Sequence, residues 1–248
     1  MIDIQNYQPR PDLLKDRVIL VTGASQGVGR VAALTFARHG AIVILHGRNV
    51  KRLEAVYDEI EAAGGPQPTI LPLDLATAKD RDFDNLALAI ESQLRRLDGI
   101  VHNASRLGHL GALDNQRLDE WLELLRVNLA APFALTRACA HLLRAAPDAS
   151  VILVSETHAL QPAAYWGGFA VSKSGLTAYA GIQAQEWELF ANLRINVVVP
   201  GKVDSPQRQQ THPGEPRSDR LPPEALMPTY LYLIGPDSRG ISGQVIYC

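Results

Sequence analysis

The chain has 248 residues, 46% of them hydrophobic, and carries a net charge of −2 at pH 7 with a pI near 6.4. That is ample for one well-buried core, and α/β domains commonly reach this length as a single unit. No stretch is rich enough in Lys and Arg to form a phosphate-backbone patch, which argues against nucleic acid as a main partner. Two cysteines, Cys139 and Cys248, are too few for a disulfide framework or a zinc site. The seven histidines show no ligand spacing with Asp, Glu or Cys, so no metal is expected. The N-terminal "MIDIQNYQPRPDLL" is polar and lacks the apolar centre of a secretion signal. No window approaches 18 uninterrupted apolar residues, so no membrane span is expected and a cytoplasmic protein is.

In chain order, seven short runs rich in Val and Ile read as strands: 17–22, 41–46, 68–73, 99–103, 150–155, 195–200 and 244–248. They are nearly continuous in apolar character, the mark of strands covered on both faces in a parallel sheet. Between them lie amphipathic stretches of helical length at 28–39, 50–63, 79–96, 114–143 and 169–191. This alternation predicts an α/β fold, a doubly wound sheet with helices on both faces, in a single domain. Residues 201–223, "GKVDSPQRQQTHPGEPRSDRLPP", are dense in Pro and charge and read as a mobile loop. Ligands of such sheets sit at the carboxyl ends of the strands, so this loop is placed to cover one.

Directly after the first strand comes "TGASQGVGR". Gly23 permits a tight turn, Gly27 lets the backbone approach a pyrophosphate, and Gly29 lets the following helix pack close to the sheet. Ser25, Gln26 and Val28 complete the turn. The helix that opens there offers free N–H groups and a positive dipole end to phosphates. The second strand ends in "HGRN". Sites for NAD commonly place an acid here, whereas an arginine suits a 2′-phosphate, so Arg48, with Asn49 beside it, favours NADP(H) over NAD(H). The other reading of Arg48 is an exposed turn residue. After the third strand, "LDL" puts Asp74, followed by Leu75, where a carboxylate can accept from an adenine amino group.

"TGASQGVG", "HNAS", the Asn of "RVNLAAPF", the lysine of "FAVSK" and "PGKVDS" occur in the order and spacing of the short-chain dehydrogenase/reductase family. The resemblance covers essentially the whole chain. "YQPRPDLLKDRVILVTGAS", "AYWGGF" and "PEALMPTYLYLIGPDSRG" resemble its bacterial YciK-type branch. The resemblance implies a Rossmann-type parallel seven-stranded sheet, hydride transfer with NAD(P) at a carbonyl or alcohol, and a homodimer or homotetramer. It divides the chain into a dinucleotide-binding half, 12–105, and a catalytic half, 106–248. It puts Asn103 and Ala104 beside the cofactor and gives Asn128 the water of a proton relay. Lys173 would bind the nicotinamide ribose and lower the pKa of a catalytic tyrosine. Pro200, Gly201, Val203 and Ser205 would line the nicotinamide side.

Three positions depart from that pattern. Phe169 stands where the tyrosine is expected, Glu156 where a serine is expected, and Ser105 replaces a glycine suited to an unusual backbone angle. Phenylalanine has no proton to give, and a positioned general acid is worth about 10²–10⁴ in rate. An ionised Glu156 would repel the charge developing on a substrate oxygen, where the serine would donate to it. Glu156 could itself supply the proton if burial kept it neutral, although Lys173 opposes this. His158 and Tyr165 flank the site in sequence. Ser155 could replace the serine only by a one-residue register shift, which turns a strand side chain to the other face. Trp121, Trp166 and Trp187 read as packing or subunit-contact residues, and Cys139 as a packing residue. Two readings stay open: a reductase of weak or altered activity, and a catalytically silent dinucleotide binder acting as a redox sensor or structural partner.

Overall fold

The computed structural model describes residues 4–248; Met1, Ile2 and Asp3, at the head of the polar N-terminal segment, lie outside the described residues. Strands and helices first alternate strictly: β1 (Val18–Thr22), α1 (Gly27–Arg38), β2 (Ile42–Gly47), α2 (Val50–Ala62), β3 (Thr69–Pro72), α3 (Asp80–Leu94), β4 (Gly99–His102). Then α4 (Leu118–Leu125), α5 (Ala131–Ala138) and α6 (Ala140–Ala145) precede β5 (Ala149–Val154). α7 (Thr157–Leu160) and α8 (Gly167–Glu186) lead to β6 (Leu193–Val199). α9 (Pro206–Thr211) and α10 (Met227–Ile234) lead to β7 (Val245–Tyr247).

All seven strands are parallel, in the order β3-β2-β1-β4-β5-β6-β7. The order reverses between β1 and β4, and a crevice opens at such a switch point outside the carboxyl ends of the strands. Alternate residues of each strand feed opposite layers. Ile19 and Val21 pack with Phe36 of α1, Leu53 of α2 and Tyr230 of α10. Val18 and Leu20 pack with Ile90 of α3, Leu135 of α5, Leu176 of α8 and the buried Trp187. Burial on both faces is why the strands read as continuous apolar runs, and the expected architecture is the one found.

Two expectations need correction, and the region 201–223 gains detail. The helix expected over 114–143 is broken: a 3-10 turn at Leu113–Asn115 precedes α4, and a π-turn at Arg126–Ala130 joins α4 to α5. Pro132 has no amide to donate to the Asn128 carbonyl four residues back, so a regular ladder cannot run through this point. Buried Cys139 marks a second break, between α5 and α6. The region 201–223, expected to be a mobile loop, contains α9 and a lone bridge from Val203 to Leu221. Its charges pair with one another. Asp204 meets Arg217 at 3.1 Å and Arg220 at 3.5 Å, while Glu215 takes both Nε and Nη2 of Arg208 at 2.7 and 2.6 Å. Ser105 does not adopt a left-handed angle, so its loss of a glycine strains nothing.

Candidate active site

The crevice begins where β1 ends. Gly23 sits at φ +67°, and a Cβ there would meet Ala104 Cα at 3.0 Å. Gly27 sits at φ +54°. Gly29 has an ordinary helical backbone, but a Cβ on it would lie 2.4 Å from the Gly23 carbonyl oxygen and from Asn103 Nδ2. The turn is tied to the end of β4: the amides of Asn103 and Ala104 both donate to Thr22 Oγ1 at 3.0 Å, and Asn103 Nδ2 donates to Thr22 O at 3.3 Å. Gln26 gives α1 no side-chain cap, and the first turn of α1 holds no acidic residue. The uncapped amides and positive dipole end therefore suit an anion, so the turn fits a dinucleotide pyrophosphate.

Sequence reasoning missed a second cation on this side. Arg52 Nη1 donates to Gln26 Oε1 at 2.7 Å and so reaches back over the turn. Only its nearness in sequence to Arg48 hinted at it, because Arg48 lies before α2 and Arg52 in its first turn. Arg48 itself is exposed at the rim of the cleft. Asn49 serves another purpose: its Oδ1 accepts from the Arg52 amide at 3.0 Å and caps α2. Asp74 reaches the cleft, with Oδ1 accepting from the Ala76 amide at 3.0 Å.

The cleft has a volume of about 540 Å³. Of the predicted residues, Gly23, Ser25, Gln26, Gly27 and Val28 line its floor, and Arg48, Asp74 and Leu75 one end. Asn103, Ala104, Glu156 and Lys173 line the middle; Pro200, Gly201, Val203 and Ser205 line the far side. Ser205 Oγ caps α9 by accepting from the Arg208 amide at 3.1 Å, which hangs α9 over the opening. Gly29, Asn49, Asn128 and Phe169 do not line this cleft. Gly29 acts through close packing instead.

Lys173 is 2% exposed, and its Nζ donates to the Val154 carbonyl at 2.8 Å. Burial brings its pKa down to about 8, with Glu156 pulling the other way. Asn128 is fully buried in the π-turn. Its Oδ1 accepts from the Arg106 amide at 2.8 Å, and Nδ2 donates to Arg106 O and Ser172 Oγ, both at 2.9 Å. The side chain thus braces two elements. Phe169 is 1% exposed, its ring 6.1 Å from that of Trp166.

Glu156 lines the cleft, and its Oε1 is shut off from solvent without a hydrogen-bond partner among the described residues. Burial raises its pKa, against the His158 charge, the Lys173 ammonium and the backbone amides of His158 and Ala159, which favour the carboxylate. The other donors considered point elsewhere. Tyr165 is 67% exposed; His158 stacks on Trp166 with centroids 4.0 Å apart; Ser155 Oγ donates to Lys173 O at 3.2 Å. Thr157, not considered from the sequence, adds a hydroxyl to the cleft. Trp166, expected to pack or to contact another subunit, lines it too. Trp187 is buried in the core, and Trp121 packs against Gly168. His46, which lines the cleft, and His102, which does not, are buried and held neutral, with pKa values of about 4 and about 3; burial is the main cause in both. No group of metal-ligating side chains occurs among the described residues, and no described helix is long and apolar enough to cross a membrane.

A glycine cradle at the switch point of a seven-stranded parallel sheet, with an asparagine and a buried lysine beside it, defines a nicotinamide-dinucleotide oxidoreductase architecture. The family model for short chain dehydrogenases matches residues 17–216, and the chain belongs to that family. Within it, the chain is 40% identical to the oxidoreductase YciK of Escherichia coli K12, over 96% of this chain and 94% of that one. A short chain dehydrogenase structure from Pseudomonas syringae superposes with a TM-score of 0.95 at 40% identity, covering 98% of each chain. One from Escherichia coli CFT073, solved as a complex with NADPH, gives 0.93 at 39% identity, covering 96% of this chain and 99% of that chain.

Proposed function

We propose that this protein is an NADP(H)-dependent oxidoreductase acting on a carbonyl or alcohol group, with activity weak or altered because Phe169 and Glu156 stand at the tyrosine and serine positions. The observation that carries it is the uncapped N-terminus of α1 above the glycine turn, with Arg48 at the rim of the cleft and Arg52 bonded to Gln26 of the turn. In this reading the amides from Gly27 onward hold the pyrophosphate, and the arginines meet a 2′-phosphate. Asn103 and Lys173 flank the nicotinamide ribose, with Pro200, Gly201, Val203 and Ser205 on the nicotinamide side. When bound, the dinucleotide supplies or accepts hydride. The relative crystallised with NADPH supports the phosphorylated form. A cytoplasmic homodimer or homotetramer completes the reading, on the family's habit.

A second reading is favoured by one observation: Phe169 carries no proton, and its ring lies outside the cleft. The protein is then a silent dinucleotide binder, a redox sensor or structural partner.

Fluorescence titration with NADPH and NADH, followed by a turnover screen over aldehydes, ketones and quinones, tests both. NADPH is expected to bind more tightly than NADH. Arg48→Ala removes a charge-assisted contact, expected to weaken NADPH binding about 10- to 100-fold and leave NADH unchanged. Tighter binding of NADH would defeat the arginine argument. Tight NADPH binding without turnover above the solvent rate would leave the silent reading in place.

A further inference from the structure

We infer that Glu156 is the general acid of this active site, its carboxyl taking over the proton delivery that Phe169 cannot perform. The inference deepens the oxidoreductase reading and rests on it.

The geometry narrows the choice. Four kinds of group near the site carry a transferable proton: the carboxyl of Glu156, the ammonium of Lys173, the imidazoles of His46, His158 and His212, and the phenol of Tyr165. His46 lines the cleft, but burial holds its ring neutral, with a pKa of about 4. Tyr165 faces solvent. His158 and His212 both stack against Trp166, with centroids 4.0 and 5.8 Å from its ring, and neither lines the cleft. Lys173 Nζ reaches the Val154 carbonyl. Glu156 lines the cleft with a solvent-shielded oxygen that has no partner among the described residues. A buried carboxylate oxygen without a donor is costly, whereas a carboxylic acid can use its own O–H on a ligand oxygen.

The charged groups that face it do not cancel this. From α8 comes Lys173, and from its own turn His158. Across the cleft, α9 brings Arg208, whose Nε and Nη2 are both taken by Glu215, and His212 next to Thr211. Lys173, His158 and the backbone amides of His158 and Ala159 favour the carboxylate, yet burial outweighs them and the net direction at Glu156 is upward. Burial drives Lys173 the other way, so both members of the pair lean toward their neutral forms. Thr157 can orient a substrate oxygen by hydrogen bonding, but a hydroxyl of ordinary acidity does not give up its proton.

In the reducing direction, hydride adds to the carbonyl carbon and the C=O π pair moves to oxygen. That oxygen takes the Glu156 proton. The carboxyl O–H bond breaks, the alcohol O–H bond forms, and Glu156 is left as carboxylate until water from the cleft mouth reprotonates it. The reductant is a reduced nicotinamide dinucleotide, which ends oxidised.

The test reads the proton directly. Infrared difference spectra of the full chain, wild type against Glu156→Gln, should show a protonated-carboxyl band at about pH 6, above the ordinary glutamate range. The glutamine variant should lack it, and Thr157→Val should keep it. Glu156→Gln should lower turnover about 10²- to 10⁴-fold with NADPH affinity unchanged. Glu156→Asp, which keeps a carboxyl, should recover part of the loss and retain the pH profile. An ionised Glu156 at about pH 6 would overturn the inference, as would wild-type turnover in Glu156→Gln. A protonated Glu156 in a protein that reduces no carbonyl compound would overturn it too. Failure to bind NADPH would defeat the parent reading, whereas NADPH binding with an ionised Glu156 defeats this inference alone.

Discussion

Replacing Phe169 with tyrosine and Glu156 with serine exchanges one proposed acid for the hydroxyl pair typical of the family. The structure sets two opposing magnitudes. Position 169 lies one helical turn before Lys173 on the same face of α8, so a phenol there is brought toward the ammonium and the cleft. A positioned acid supplies about 10²–10⁴ in rate, equivalent to about 2.7–5.4 kcal/mol of barrier. Against this, the Phe169 ring is 1% exposed. A hydroxyl added there without a partner costs about 1–3 kcal/mol of stability. For a chain of this size that lowers Tm by about 2–12 °C. The new serine and the Lys173 ammonium are within the same cleft, so the phenol is expected to find a partner and the loss to stay at the low end. Glu156→Ser alone should be nearly inactive. The double variant should recover NADPH-dependent reduction of simple aldehydes by at least about 10²-fold over that single variant, followed by cofactor absorbance alongside a thermal melt. A double variant that binds NADPH, melts several degrees lower and stays inert would refute the reasoning. It would mean that side chain 169 is walled off from the reacting centre.

Gly29→Ala should disrupt the cradle, because its Cβ would come within 2.4 Å of a backbone oxygen; NADPH titration should show at least tenfold weaker binding, about 1.4 kcal/mol. Gly181→Ala, with nothing near its added methyl, should instead raise stability by about 0.5–1 kcal/mol. His46 and His102 should make stability fall with acid. Their folded pKa values of about 4 and about 3 lie below the unfolded value of about 6.5. Stability is therefore complete above about pH 6.5 and is lost as the unfolded chain takes up protons below it, by on the order of 3 kcal/mol for His46 at about pH 4. Urea melts of His46→Leu should show a flatter pH slope; an unchanged slope would remove His46 from the account. Asp148 is buried at the other end of the sheet and accepts from Arg17 at 2.7 Å, Arg194 at 2.6 Å and Arg239 at 3.1 Å. Asp148→Asn should cost about 3–5 kcal/mol in urea melts, whereas Arg239→Ala, at the exposed edge of the cluster, should cost under about 1 kcal/mol.

The sheet was legible because burial on both faces leaves no alternation to confuse with a surface strand. The breaks near Asn128 and Cys139 were not, since a π-turn keeps an apolar face running and changes only its phase. α10 escaped notice for a related reason: nearly all of "MPTYLYLI" is buried, so it carries no polar face and no helical period. The charges of 201–223 were visible, but their pairing depends on a chain reversal that returns Leu221 to Val203. In the site, the glycines were readable because each answers a local backbone demand. Arg52 was hidden, its contact with Gln26 spanning 26 residues of chain. Phe169 and Glu156 stood out at once; that one is enclosed and the other faces the cleft with a shielded oxygen depends on packing that spacing does not encode.

That contrast explains how a dinucleotide cradle and the chemistry beside it can part company. The cradle is made of backbone. Gly23 needs a left-handed angle beside Ala104, and Gly29 has a backbone oxygen where a side chain would be. Changing either disturbs the junction of β1, α1 and β4, so the fold itself resists the change. Positions 156 and 169 are held by weaker demands. Phenylalanine fills the space of a tyrosine ring less its hydroxyl, and the ring packs beside Trp166 without a polar atom to satisfy. At 156 the cleft gives a longer side chain room, so a carboxyl can replace a hydroxyl without displacing core atoms. Folding therefore constrains where the cofactor can lie far more tightly than which group hands over the proton. A change of acid on an intact cradle is the departure this architecture permits at least expense in stability.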